Sequence, residues 1–311
     1  MALTLTNSNY GGEVLEKIFL ELGLGNEIAK ENIAQIITDQ AGDFSLPKMA
    51  GSSLPIGVYT QTAPTADTVT IAYSERKLSM TAGTIYLEFV PSLWHGTLWK
   101  LWQSVGDFTN LELNTKLVSA ILDLIMDKAG MHYSLLAFQG DKNLAASTKM
   151  HFIDGWVTRA IADANVIKPT PAGNITANNF ADILAAVWSA IPSHLIKDPD
   201  FTLKVDTAVW KLMQTSNIKL QEAFAGVLGS NLADAKYLTS KIIPFDGMKS
   251  NHIFGSKSDN LFAGFWVDLE NEGLRIDRVA NNSHTWFMRL DIKMDVNYVA
   301  PNELVLYEPT A

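Results

Sequence analysis

The chain contains no cysteine. That removes disulfides, thiolate metal sites and thiol nucleophiles together, and with them the disulfide-stapled secreted domain. No run approaches the ~20 apolar residues of a membrane span. The first residues, MALTLTNSNYGGEV, lack the basic-then-apolar order of a secretory signal. No Lys/Arg run is longer than Arg76-Lys77, and the net charge is −9 with a pI near 5.1. A protein that grips nucleic acid presents a basic patch to displace counterions, so the balance argues against sequence-specific DNA reading. A surface that faces DNA without adhering to it suits an acidic chain.

Catalytic motifs are equally scarce. There is no phosphate-binding GxxxxGK[ST] loop and no GxSxG elbow. Gly23 and Gly25 supply two glycines of a dinucleotide fingerprint without the third and without a preceding strand. The six histidines, His95, His132, His151, His194, His252 and His284, include no pair at helical or strand metal-ligand spacing. The expectation is therefore no cofactor, no metal and no catalytic residue. Asp291 and Asp295 stand four residues apart, two steps along one strand face, a geometry compatible with acid/base work, although a solvated polar face is the simpler reading. Trp94, Trp99 and Trp102 recur at helical spacing. That marks a buried anchor more readily than a platform for bases or sugars.

What is present is a substantial core with long periodic elements. Of 311 residues, 47% are hydrophobic and 18% charged, enough for one large domain or two ordinary ones. Residues 1–48 read as an arm with two short helical patterns, Val14/Leu15/Ile18/Phe19 and Ile28/Ile33/Ile36/Ile37. Neither builds a core alone. Residues 49–92 read as a long β-hairpin: Val69, Ile71 and Tyr73 alternate, as do Ile85, Leu87 and Phe89, with Thr81-Ala82-Gly83 as the turn. Leu78 and Met80 fall out of step, which suggests a bulge near Arg76-Lys77. Residues 112–138 give the longest helical pattern, about 40 Å at 1.5 Å per residue. Its apolar side is drawn through Leu113, Leu117, Ala120, Ile121, Leu124, Ile125, Ala129 and Leu135, and Gly140 ends it. A second helix runs from Asn179, a good N-cap, through Phe180, Ile183, Leu184, Val187 and Trp188 to Pro192.

Residues 198–280 mix the two periodicities. DPDFTLKVD is a strand; Asp206 then caps a helix with Val209, Trp210 and Met213 on its buried side. KIIPFDGMKSNHIFG and NLFAGFWVDL read as short strands. The stretch WFMRLDIKMDVNY, Trp286 to Tyr298, sets Trp286, Met288, Leu290, Ile292, Met294, Val296 and Tyr298 on one face and mainly charged residues on the other. Ordinary strands run about 5–6 residues; this one would span about 43 Å and be wet along one side. Pro301 ends it, and Val305 to Tyr307 form a last short strand. The fold class expected is α+β.

The order of these parts resembles the major capsid proteins of tailed bacteriophages, whose fold is shared with encapsulins and the herpesvirus capsid floor. DFTLKVDTAVWKLMQ is similar to that family's strand and short helix in the axial domain. LFAGFWVDLENEGLRIDRV, WFMRLDIKMDVNY and APNELVLYE are similar to its C-terminal strands. The resemblance implies an N-terminal arm (1–48), an extended hairpin loop (49–92), a peripheral domain (93–197 and 281–311) with a spine helix (112–138), and an inserted axial domain (198–280). It implies a non-enzymatic structural protein that self-assembles through hexamers and pentamers into an icosahedral head shell around double-stranded phage DNA. Such a chain is located in the virion and assembled in the host cytoplasm, with a portal as partner and no membrane. No long charged helical extension precedes the body, which points to a separate scaffolding protein or a trimmed precursor. By position in the hairpin, Glu75, Arg76 and Lys77 are the candidates for ion pairs between subunits. Lys77 also has the position, and only the position, of a crosslinking lysine. Two other readings stand beside this one: an encapsulin-type cargo shell, and an α/β enzyme or ligand-binding protein with a site near Trp94, His95 and Trp102.

Overall fold

The computed structural model describes residues 8–10, 27–38, 42–51, 71–90, 115–215, 236–237, 240–267, 274–279 and 282–309. In chain order the strands are β1 (Ser8–Tyr10), β2 (Gln35–Ile37), β3 (Phe44–Gly51), β4 (Ile71–Leu78), β5 (Thr81–Phe89), β6 (Phe201–Asp206), β7 (Lys236–Tyr237), β8 (Ser240–Phe245), β9 (Ile253–Lys257), β10 (Leu261–Val267), β11 (Leu274–Val279), β12 (Asn282–Tyr298) and β13 (Val305–Tyr307). The helices are α1 (Thr115–Gln139), α2 (Trp156–Ala162), α3 (Phe180–Ala190) and α4 (Thr207–Thr215). Glu27–Lys30 form a single helical turn.

β12 organises one half of the molecule. Its 17 residues extend about 56 Å. On one side it pairs antiparallel with β11 through residues up to Leu290 and with β10 from Ile292 onward, so those two strands lie end to end along one edge. β5 pairs residues 286–294, overlapping both, and so occupies the opposite side. β1 adds beyond β11 and β2 adds in parallel beyond β10, completing a six-stranded sheet. The alternation expected of β12 holds on its apolar face, where Trp286, Met288, Leu290, Ile292, Met294, Val296 and Tyr298 are all buried. The other face is not wet along its whole length. Arg289 is exposed, whereas Asp295 and Asn297 are buried, because the end of β4 covers them.

A second sheet has the order β13-β9-β6-β8-β7. β6, β8, β9 and β13 carry buried residues on both faces, as happens when a sheet has cover on each side. Leu304 and Leu306 face the main core with α1 and β12, while Val305 and Tyr307 face a second core with α3 and α4. The same division separates Phe254 from Ile253 and Phe245 from Ile242. Period-two geometry thus lets one sheet serve two cores. The unit expected over 198–280 is divided accordingly. β6 to β9 lie in this second sheet, but β10 and β11 pair with β12, and β13 joins the second sheet from the far end of the chain.

The hairpin is also redistributed. β4 pairs antiparallel with β3, Phe44↔Leu78 through Gly51↔Ile71, and β5 pairs with β12 instead of β4. Thr81, Ala82 and Gly83 are strand residues and not a turn. The β3–β4 register is unbroken, so there is no bulge at Arg76-Lys77. The loss of phase there marks the place where the chain leaves one sheet for another. In the arm, the first helical pattern lies outside the described residues. The second is one helical turn followed by β2, because the β-branched pair Ile36-Ile37 completes a sheet edge. Ile28, Ile33 and Ala34 are buried in the main core, so this segment lies on the body.

α1 has 25 residues, about 38 Å. It ends as expected at Gly140, whose N–H donates to the Leu136 carbonyl at 3.0 Å. Its buried stripe runs through Met126, Gly130, Tyr133 and Ala137, with Phe138 meeting Trp156 edge-on at 4.9 Å between centroids. Leu124, placed on the apolar side by spacing, is 60% exposed. Ile125, expected on that same side, is buried, so the described turns carry the face on Ile125, Met126 and the aromatic and small residues that follow. In α3, Phe180, Ile183, Leu184 and Val187 are buried as read from the sequence. Asn179 stands at the N-cap, but its side chain bonds back to Thr176 and Asn174 and not to the helix.

Candidate functional site: the clamp at the hairpin root

Of the three residues singled out in the hairpin, Arg76 turns toward its own chain while Glu75 and Lys77 are exposed. Adjacent strand residues face opposite ways, so this division follows from the pleat. Arg76 donates to Asp163 at 2.5 Å and lies over the Tyr298 ring, 4.4 Å from its centroid. Asp163 is the residue that closes α2. The Tyr298 hydroxyl donates to the same Asp163 oxygen at 3.0 Å, and the other oxygen accepts from the Asn165 backbone N–H at 2.9 Å. Desolvation pushes the Asp163 carboxyl up. The bonds from Arg76, the Asn165 N–H and Tyr298 outweigh it and bring the pKa down to about 2. The Tyr298 hydroxyl, desolvated and bonded to that carboxylate, is pushed up to about 12.

A second set of bonds lies one strand residue further in. Arg159 of α2 donates to Asp295 at 2.6 Å and, through Nε, to the Asp154 carbonyl at 2.9 Å. The other Asp295 oxygen accepts the Ser79 N–H at 2.8 Å. The Asp295 side chain is only 1% exposed. Burial therefore raises its pKa even against Arg159 and the two backbone donors. Asn297 donates to the Lys77 carbonyl at 2.7 Å, and Trp156 donates its indole N–H to the Asn297 carbonyl at 2.9 Å. Lys48 of β3 reaches Asn302 at 3.0 Å. Two glycines let the strands close: a Cβ on Gly264 would stand 2.7 Å from the Met80 sulfur, and one on Gly83 would stand 2.4 Å from the Phe152 ring. Chemically this is a clamp. Charged hydrogen bonds in partly desolvated positions hold β4 against α2 and β12.

Asp291 pairs with Arg289 near the surface, and Asp295 is sealed under the hairpin root, so the two carboxylates do not address a common reactant. Among the described residues no three His, Asp or Glu side chains converge as metal ligands. Trp94, His95 and Trp102 lie outside the described residues. An open groove of about 570 Å³ runs between the Glu27–Lys30 turn, α1 and Asp246-Gly247. Glu27, Asp123, Asp127 and Asp246 line it against Lys30. Desolvation, together with Asp246 and Glu31, raises the Glu27 pKa.

Sequence reasoning missed Asp163, Arg159 and Asn297, because their partners lie 87 to 220 positions away. It also missed Lys204. This lysine is fully buried in β6, donates to the Ser256 carbonyl at 2.8 Å and the Ser256 hydroxyl at 2.7 Å, and burial pushes its pKa down to about 7. β6, FTLKVD, alternates apolar and polar residues, so Lys204 reads as an open-face position and its burial gives no local signal.

No protein-family model matches the sequence, and no curated protein does. The fold does match solved structures. A chain of the satellite phage P4 procapsid aligns with TM-score 0.55 at 15% identity, covering 95% of this chain and 98% of that one. The capsid of a native GTA particle aligns with TM-score 0.56 at 11% identity, covering 100% and 94%. The cyanophage A-1(L) capsid aligns with TM-score 0.54 at 10% identity, covering 98% and 95%. The chain therefore has the phage major capsid fold, a mixed α+β architecture.

Proposed function

We propose that this chain is a shell subunit: a non-enzymatic protein that associates through hexamers and pentamers into an icosahedral head enclosing double-stranded DNA in a virion. The observation that carries the reading is the end-to-end match. Capsid chains and this chain cover one another almost completely, so the likeness is not that of one shared domain. The clamp supports it. A two-stranded hairpin is marginal by itself, and here its root is tied by charge to the body while Glu75 and Lys77 stay exposed for a neighbour. We assign the arm to residues 1–48, the extended loop to 49–92, the spine helix to 112–138 and the peripheral domain to 93–197 and 281–311. The axial domain is assigned to 198–280, within which β6 to β9 share one sheet while β10 and β11 pair with β12. The acidic net charge fits a lumen that holds DNA without binding it tightly.

The test is the mass and shape of the purified protein, by light scattering with negative-stain microscopy. Closed shells, or rings of five or six subunits, are expected. A stable 34.2 kDa monomer whose 44–78 hairpin resists protease would overturn the reading.

A further inference from the structure

β5 has a hydrogen-bonded neighbour on one side only among the described residues, β12, from Thr81↔Met294 to Phe89↔Trp286. An open strand edge is a template for another chain, and proteins that keep an edge free guard it with proline, bulges or inward charges. β5 has no proline, its register is continuous, and Glu88 is its one charge. It is exposed on both faces: Tyr86 by 53% on the outer face and Leu87 by 39% on the core side.

The strand's own sequence says what fits the edge. TAGTIYLEF is lopsided about Ile85. Thr81, Ala82, Gly83 and Thr84 come before it; Tyr86, Leu87, Glu88 and Phe89 follow. Two copies laid antiparallel about Ile85 put Tyr86 opposite Thr84, Leu87 opposite Gly83 and Glu88 opposite Ala82. Apart from the Ile85 pair on the axis itself, each bulky residue meets a small one. The two glutamates stand six residues apart, about 20 Å. Parallel in-register pairing would instead stack Tyr86 on Tyr86 and Glu88 on Glu88, which like charges oppose.

We propose that β5 pairs antiparallel with β5 of a second copy about a two-fold axis at Ile85. The contact is isologous and joins two six-stranded sheets through their edges. It deepens the shell reading and rests on that reading's claim that the chain associates with itself.

The natural absence of cysteine makes the test direct. Residues directly opposite in an antiparallel pair have Cα atoms about 4.5–5.5 Å apart, within disulfide range. Ile85→Cys is purified alone, oxidised by dissolved oxygen with a copper catalyst, and read on a non-reducing gel. The control is Leu144→Cys, at an exposed position outside β5. Because Ile85 packs against the core, the double variant Thr84→Cys/Tyr86→Cys, at exposed positions, repeats the test. Disulfide dimers at β5 are expected to form at least about tenfold faster than in the control, since the thiols are held opposite each other. Particles that form with β5 crosslinking no faster than the control would overturn this contact and leave the shell standing. Crosslinked dimers without closed particles would support the contact and sink the shell. A monomer with neither would overturn both.

Discussion

Arg159 reaches Asp295 beneath the six-stranded sheet; Lys204 reaches Ser256 inside the five-stranded one. Both cations leave water, and the two sheets handle the cost differently. At the first site a carboxylate, a backbone N–H and a carbonyl complete a charged cluster that spans α2, β4 and β12. At the second, among the described residues no carboxylate pairs with the amine, and neutralisation near pH 7 replaces pairing. The first arrangement joins separate parts of the chain. The second stays within two adjacent strands, β6 and β9. Paired charge is found where an element must be held in place, and neutralised charge where nothing has to be held.

The largest test of that contrast is Arg159→Met. It leaves Asp295 buried without its cation, and the expected loss is about 3–5 kcal/mol at pH 7 by denaturant unfolding. The loss should shrink in acid, because burial already raises the Asp295 pKa and protonation removes the stranded charge. A loss below about 1 kcal/mol would place the pair with ordinary surface bridges.

Lys204→Met combined with Ser256→Ala should move stability the other way. The native pKa of about 7 lies below the ordinary 10.5, so between those values the unfolded chain binds a proton that the native state does not. Wild-type stability therefore rises with pH across that window, and the deficit is complete below it. The double variant should gain about 2 kcal/mol at pH 7, with the gain fading toward pH 10. Urea titrations at pH 7 and 9.5 read both values.

Asp163→Asn is expected to cost about 1–2 kcal/mol near neutrality. A carboxyl held at about 2 against an ordinary 3.8 stabilises the fold above about pH 4, and that contribution is lost as pH falls through 2. Variant and wild-type stabilities should converge near pH 2 in a pH series of unfolding curves. Leu124→Gln should be the smallest, within about 0.5 kcal/mol for the isolated chain, because Leu124 is largely exposed. A drop in particle yield without a drop in that stability would mark α1's outer side as covered on assembly.

Much of the fold was legible in single segments, since each needed only local periodicity. α3, β6, β12 and β13 carry clear 3.6- or 2-residue patterns, and Gly140 stops α1 where expected. Partners were not legible. Proximity in sequence suggested that β4 pairs with β5, but β4 returns to β3, where Pro47 argues against a strand, and β5 pairs with residues 286–294. Ile33, Ile36 and Ile37 fit helical spacing, yet the sheet edge beside β10 claimed the last two. The clamp escaped for the same reason. Arg76 reads as a candidate for a pair with another subunit, Asp295 as a carboxylate on a polar strand face and Tyr298 as an apolar-face residue, and nothing local joins them to Asp163.

β12 ends at Tyr298, and the chain passes through Pro301–Glu303 into β13, the edge of the other sheet. Load taken up at the hairpin root by Asp295, Asn297 and Tyr298 can thus run along covalent bonds in both directions, without first crossing a packed interface. Along β12 the inter-strand hydrogen bonds lie across the direction of pull, so a tug shears the whole ladder at once and does not peel it bond by bond. The long strand then acts as a reinforcing rib, strongest against stretching along its own axis.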